Sequence, residues 1–199
     1  MIKNLDFEFT KLYPSNTKKA ICIFCSSSET IDDKYKQQAA LLGELIAKKG
    51  FDLVHGGGKI GLMGVIANKV QENGGKVTGI LPESLNLEGI ASETDDEIII
   101  TKDMPDRKAE MRKRSIAFII LPGGFGTLEE LFETITLKQL NYIQKPIVLI
   151  NTYHYYDELI AFLDKAVELN FISQQHRQLL YITDKCEDAI EYIENNLKL

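Results

Sequence analysis

The chain of 199 residues carries 23 Lys and Arg against 29 Asp and Glu, a formal net charge of −6, with 44% hydrophobic and 26% charged residues. That acidity argues against a general binder of nucleic acid or of membrane surfaces, and no apolar run approaches the length of a transmembrane helix. The length suits one α/β domain able to bury about 70% of its unfolded surface, and residues 1–19 lack a signal-peptide hydrophobic region, so a cytoplasmic protein is expected.

Residues 1–17 form an N-terminal segment with Phe7, Phe9, Leu12 and Tyr13 among polar residues, and residues 18–199 read as a single domain. The apolar run 20–25 predicts the first strand. Its Cys22 and Cys25 have the C-x-x-C spacing of redox and metal sites, but an odd separation on a strand turns the two thiols to opposite faces, so both are expected to pack. Cys186 is the third cysteine, and no disulfide is expected. Ser26, Ser27 and Ser28 follow. At the carboxyl end of a strand they suit a ribose or phosphate, and before a helix they are equally ordinary caps. The helix they precede carries Ala39, Leu42, Leu45 and Ile46.

A second strand, 50–55, ends in Gly56-Gly57-Gly58-Lys59-Ile60-Gly61-Leu62-Met63-Gly64, where successive glycines are expected to expose amides before a helix over 65–72. The first turn lacks G-x-G-x-x-G and this loop lacks the G-K-[ST] ending of a P-loop, which argues against a dinucleotide dehydrogenase and an ATPase. A third strand over 75–81 closes at Pro82. The acidic run 93–97 lacks the ligand spacing of a calcium loop and reads as solvated, and the three histidines form no recognisable metal arrangement.

After a short strand, 98–101, a helix over 104–114 places Met104, Arg107, Met111 and Arg114 on one face. If the methionines face the body, Arg107 points inward and needs a carboxylate or phosphate partner. Arg112 and Lys113 are expected to be solvated and favoured by the helix dipole. The apolar run 117–121 then enters Leu121-Pro122-Gly123-Gly124-Phe125-Gly126-Thr127-Leu128-Glu129-Glu130, a strand-to-helix turn whose amides build an anion site suited to phosphate. Thr127 to Glu130 also fits a capping box, in which Glu130 only stabilises the helix. A further strand over 145–150 leads to a polar and aromatic loop, 151–157, whose His154, Tyr155 and Tyr156 border the same edge; residues 159–199 read as helices around a strand at 180–183.

Strands alternate with helices throughout, which predicts an α/β fold: a doubly wound, mostly parallel, Rossmann-like sheet with helices on both faces. Right-handed crossovers bring Ser26 to Ser28, Gly56 to Gly58 and Gly123 to Thr127 to one edge, forming a cleft suited to a mononucleotide.

Asp106-Arg107-Lys108-Ala109-Glu110-Met111, followed by the segment from Leu121 to Glu130, resembles the paired R-K and P-G-G-x-G-T-x-x-E motifs of the LONELY GUY (LOG) family. Its members are cytokinin riboside 5'-monophosphate phosphoribohydrolases that have also been labelled lysine decarboxylases. The similarity runs from about Lys18 to the region of Asp157. It implies hydrolysis of the N-glycosidic bond of an N6-substituted adenosine 5'-monophosphate to free base and ribose 5-phosphate, with no metal or organic cofactor, in a homodimer. Carried over by motif, Arg107 and Glu130 are catalytic, and Lys108, Gly123, Gly124, Phe125, Gly126, Thr127, Leu128, Glu129 and Thr136 bind substrate. Glu88 falls near a substrate-contacting glutamate, Gly57 and Gly58 belong to an element beside the nucleotide pocket, and Ser26 stands at the ribose or phosphate. The helix bearing Glu133, Thr136, Leu140 and Ile143 is a candidate contact between copies. Met104-Pro105-Asp106 stands where the family commonly has M-H-x, and Phe125 where it commonly has tyrosine; both departures bear on base selectivity. The alternative is a non-catalytic binding protein resembling molybdenum-cofactor carriers, which share the sheet and the glycine turn but do not need Arg107 and Glu130 together. A pyridoxal-phosphate decarboxylase is least supported, because no lysine has a Schiff-base context.

Overall fold

The computed structural model describes residues 19–87 and 91–197. Seven strands, β1 (Ala20–Phe24), β2 (Asp52–His55), β3 (Val77–Pro82), β4 (Glu97–Thr101), β5 (Ser115–Ile120), β6 (Ile147–Ile150) and β7 (Tyr181–Thr183), form one sheet in the order β4-β3-β2-β1-β5-β6-β7. Every pairing is parallel. Parallel strands covered on both faces must be apolar at every position, which is why β1, β5 and β6 are near-continuous runs of Ile, Val, Leu and Phe. The edge strand β4 is partly exposed.

Among the described residues seven α-helices flank the sheet: α1 (Asp33–Lys48), α2 (Gly61–Glu72), α3 (Met104–Arg114), α4 (Phe125–Gln139), α5 (Asp157–Glu168), α6 (Gln174–Arg177) and α7 (Cys186–Leu197). α1, α2 and α7 pack on the face carrying Ile21, Ile23 and Cys25, while α3, α4 and α5 pack on the face carrying Cys22 and Phe24. The doubly wound sheet and the opposed cysteines are therefore as the sequence predicts. Among the described residues no helix is long and apolar enough to cross a membrane.

Four local expectations are corrected. α2 begins at Gly61 rather than at Val65, because the carbonyl of Ser26 accepts from the Leu62 amide at 3.0 Å and so satisfies its first turn. On α3, Met111 is buried but Met104 is 41% exposed, since the first turn of the helix projects beyond the core. Arg112 is not a solvated cation: its Nη1 lies 2.9 Å from Glu133 of α4, and its side chain is mostly covered. The acidic run is exposed at Glu93, Thr94, Asp96 and Glu97, as a solvated loop would be, but it is anchored at two carboxylates. The Asp95 side chain is fully buried against His55, and the Asp96 carboxylate accepts from the Val77 amide at 2.9 Å, which holds its pKa below the usual value.

All three cysteines are free and buried. Burial pushes the Cys186 thiol up to about 12 and raises Cys22 and Cys25 above the ordinary thiol range, so thiolate is scarce at each. Native protein should therefore leave a chromogenic disulfide reagent unreacted over minutes at pH 8, and all three thiols should titrate after denaturation. Reaction of one thiol without unfolding would contradict this packing.

Candidate active site

The order of the sheet reverses at β1 and β5, and in such sheets the loops leaving the carboxyl ends of the two strands diverge to open a crevice. Here the loops are tied at their roots. The Ser26 amide donates to the Pro122 carbonyl at 3.1 Å, continuing the β1–β5 pairing, and the start of α2 hangs from the Ser26 carbonyl. The serine turn, the Gly56 to Gly58 loop and the Pro122-Gly123-Gly124 turn thus meet at one sheet edge.

The capping box at Thr127 and Glu130 does not form. α4 begins at Phe125 with Gly124 as its N-cap, and no side chain caps it. Thr127 stands at the third helical position, where it is buried, and Glu130 turns towards α3. The first-turn amides of Phe125, Gly126 and Thr127 therefore form an uncapped, positive helix end. Gly124, Phe125 and Gly126 are exposed there, with the Phe125 ring 93% accessible. The turn is held from behind by the aromatic loop: the Tyr155 hydroxyl donates to the Gly123 carbonyl and the Tyr156 hydroxyl to the Leu121 carbonyl, each at 2.9 Å. Tyr35 of α1 packs edge-on against both Tyr153 and Tyr155. The backbone between is left-handed at two successive non-glycine residues, Tyr153 (φ 54°) and His154 (φ 60°), a conformation costing about 1–2 kcal/mol each.

Arg107 points inward as the helical spacing predicts, and its partner is Glu130. Their Nη1–Oε1 distance is 2.8 Å, and the residues are 8% and 9% exposed. Arg107 Nε donates to the Ile80 carbonyl at the end of β3, 2.9 Å away. Its Nη2 rests on Gly56, where an added Cβ would stand 2.1 Å from it, so only glycine leaves room. Three elements therefore fix one guanidinium. Burial pushes the Glu130 carboxyl above the ordinary carboxylate range, while the charge and hydrogen bond of Arg107 pull it down. Beside the pair, Lys108 bonds Glu129 and lies 3.2 Å from Glu133, which also meets Arg112, so α3 and α4 are laced by alternating charges.

The other predicted residues are less uniformly placed. Ser26 is half-buried, and its Oγ accepts from the Ser28 amide at 3.1 Å. Leu128 is partly packed into the core, while Glu129 is exposed. Gly57 and Gly58 do not present open amides: both are buried beneath residues 91–92, with Ser92 donating to the Gly57 carbonyl at 2.8 Å and Gly58 bridging to Ala91. Thr136 is exposed and its hydroxyl donates back to the Phe132 carbonyl at 2.7 Å. It lies about 13 Å along α4 from Thr127, nine residues on at about 1.5 Å each, and is not brought to the crevice within one chain. Glu88 lies outside the described residues. Sequence reasoning missed the tyrosine hydroxyls that hold the glycine turn, for which no local pattern exists, and the His55–Asp95 contact, whose one signal was a glycine, Gly79, inside strand β3.

A family model described as possible lysine decarboxylase matches residues 63–193. Among curated proteins, cytokinin riboside 5'-monophosphate phosphoribohydrolase LOG1 of Arabidopsis thaliana is 45% identical over 177 residues, 89% of this chain and 83% of that protein. LOG3 of the same plant is 43% identical over 176 residues, 88% of this chain and 82% of its own length. Among solved structures, the molybdenum cofactor binding protein of Rippkaea orientalis superposes with a TM-score of 0.71 at 24% identity, over 92% of this chain and 99% of that one. This last likeness is one of fold.

The geometry separates two substitutions. Arg107→Ala leaves a buried carboxylate without its counter-charge and should destabilise the protein by about 3 kcal/mol at neutral pH, a larger effect than the sequence alone suggests. Glu130→Gln should behave differently. Because the folded-state pKa of Glu130 is raised above 4.5, the folded protein binds that proton more tightly than the unfolded chain, so this group's stabilisation is present at low pH and is lost as pH rises through the folded value. The thermal stability of Glu130→Gln relative to wild type should accordingly improve from pH 5 to pH 8, as measured by melting curves across that range. A constant difference would contradict the raised pKa.

Proposed function

This chain belongs to the LOG family of cytokinin riboside 5'-monophosphate phosphoribohydrolases, and we propose that it hydrolyses the N-glycosidic bond of a purine nucleoside 5'-monophosphate, of the N6-substituted adenosine class, to free base and ribose 5-phosphate. The observation that carries the reading is the buried Arg107–Glu130 pair, one helical turn below the uncapped N-terminus of α4. A 5'-phosphate suits the amides of Gly124 to Thr127, where a helix end favours an anion. In this reading the ribose lies over the ion pair. As the bond from C1' to the base nitrogen breaks, its electron pair leaves with the base and positive charge grows on C1' and the ring oxygen; water then adds to C1', one proton passing to the base. Glu130 as carboxylate stabilises that charge, and Arg107 orients Glu130 and the sugar. Lys108, hydrogen-bonded to Glu129 and with its ammonium favoured by both acidic neighbours, borders the phosphate end.

In this reading the protein is cytoplasmic, needs no cofactor, and works as a homodimer. The exposed Phe132, Leu140 and Tyr142 along and beyond α4 supply an apolar face for a second copy, and they bring Thr136 into the same contact. The carrier alternative rests on fold alone, since a binding protein has no use for an arginine and a glutamate buried together at this cost.

The deciding experiment incubates purified protein with a panel of nucleoside 5'-monophosphates and the matching nucleosides, with release of free base as the readout. Phosphorylated substrates should be strongly preferred, and Glu130→Gln should lose about 100- to 1,000-fold in rate while remaining folded. Because Glu130 acts as the anion and burial raises its pKa, the rate should fall on the acid side at a pH above the ordinary carboxylate value of 4.5. Equal turnover of adenosine and AMP, or undiminished turnover by Glu130→Gln, would sink the assignment.

A further inference from the structure

The described residues hold a second buried polar cluster on the neighbouring strand ends, and the reaction above does not use it. His55 is the last residue of β2, and its Nε2 lies 2.8 Å from Asp95 Oδ2, with both side chains fully shielded from solvent. The other Asp95 oxygen accepts from the Ser92 hydroxyl at 2.7 Å. A carboxylate can only accept, which assigns the imidazole proton to Nε2. The serine bonds the carboxylate and not the imidazole, so the trio lacks the geometry that activates a hydroxyl as a nucleophile. His55 Nδ1 has no hydrogen-bond partner among the described residues. A buried cluster with an orphaned atom is a poor device for stability alone, which directs attention to what it holds in place.

It holds the floor of the crevice. Asp95 Oδ2 sits over the bare Cα of Gly79 on β3, where an added Cβ would stand 2.3 Å away, so the carboxylate is seated in the sheet itself. From that anchor, residues 91–95 run across the loop of Gly56 to Lys59. Ser92 donates to the Gly57 carbonyl, Gly58 bridges to Ala91, and Lys59 Nζ lies 3.0 Å from Glu93. Gly56, the residue immediately after His55, is the seat of the Arg107 guanidinium. One peptide unit therefore separates the imidazole from the surface on which that arginine rests.

We propose that Ser92, Asp95 and His55 form a latch that clamps the Gly56 to Gly58 loop against β3 and so sets the position of Arg107 beneath Glu130. They are positioning residues for the hydrolysis proposed above and rest on that reading. The latch works at a distance where small displacements matter, because a shift of about 1 Å in a group that aligns substrate can cost about 100-fold in rate.

The test compares His55→Phe, which fills the site but donates nothing to Asp95, with His55→Gln, whose amide nitrogen reaches about as far as Nε2. Rates are measured with the best nucleotide substrate at a temperature where melting curves show every variant folded. His55→Phe should lower kcat at least about tenfold with KM changed by less than about threefold, and His55→Gln should recover most of the loss. Hydrogen exchange at the Ser92 amide and through Gly57 and Gly58 should be faster in His55→Phe and near wild type in His55→Gln. If His55→Phe fails to fold, Ser92→Ala, which removes one bond of the latch, should show the same pattern at smaller amplitude. Wild-type kcat in a folded His55→Phe, equal losses in both His55 variants, or unchanged exchange would overturn the latch. If the wild-type protein releases base from no nucleotide, the hydrolase reading falls by itself, and exchange alone decides whether the latch clamps the loop.

Discussion

A guanidinium and a carboxylate buried together are costly to desolvate, and an ion pair in such a place is seldom the best route to stability. The Arg107–Glu130 pair is nevertheless what the surrounding structure accommodates. The Ile80 carbonyl takes a second hydrogen bond from the arginine, Gly56 leaves its backbone bare beneath it, and the Lys108–Glu133–Arg112 contacts hold α3 and α4 at the spacing the pair requires. Charge held at such cost points to a third partner that arrives with charge of its own.

α4 serves both halves of that task. Its first turn offers amides to an anion, and three residues beyond Thr127, on the same side of the helix, Glu130 presents a carboxylate. The distance between an anion bound at the helix end and the carboxylate is thus fixed by helix geometry and does not depend on loop conformation. In the proposed reading two negative groups so near each other would repel, and the guanidinium of Arg107 against Glu130 offsets that charge. The tyrosine hydroxyls that grip the Leu121 and Gly123 carbonyls fix the turn from its other side.

Much of this is legible in the sequence. Continuous apolar runs at β1, β5 and β6 can only be doubly covered strands, and their alternation with helices leaves a doubly wound sheet. Arg107 is readable as inward because Met111 shares its face and is buried, although Met104, on the same face, is not. Its partner is named by the family resemblance and not by the local pattern, because Thr127 to Glu130 mimics a capping box and the true contact reaches back 23 residues. The acidic run misleads in the same way at one residue, Asp95, while Glu93, Asp96 and Glu97 are exposed. Its charges suggest solvent, while Asp95 reaches His55 across 40 residues. Local patterns report what neighbours on the chain do, and these contacts are made by neighbours in the sheet. Gly79 was the one hint, since a glycine inside a strand marks a close approach without naming what approaches.

The strand order has a consequence for how the molecule is assembled. β1 to β4 build one half of the sheet in uninterrupted chain order, α3 follows them, and only afterwards does the chain cross back to lay β5 beside β1. During synthesis, Arg107 emerges with the first half-sheet and Glu130 with the second. Until α4 arrives, the arginine has no counter-ion and stays hydrated. Its burial is therefore coupled to the docking of the two halves, and neither can complete the crevice alone. A chain stalled or cleaved between β4 and β5 has the Gly56 to Gly58 loop but neither the Gly123-Gly124 turn nor Glu130.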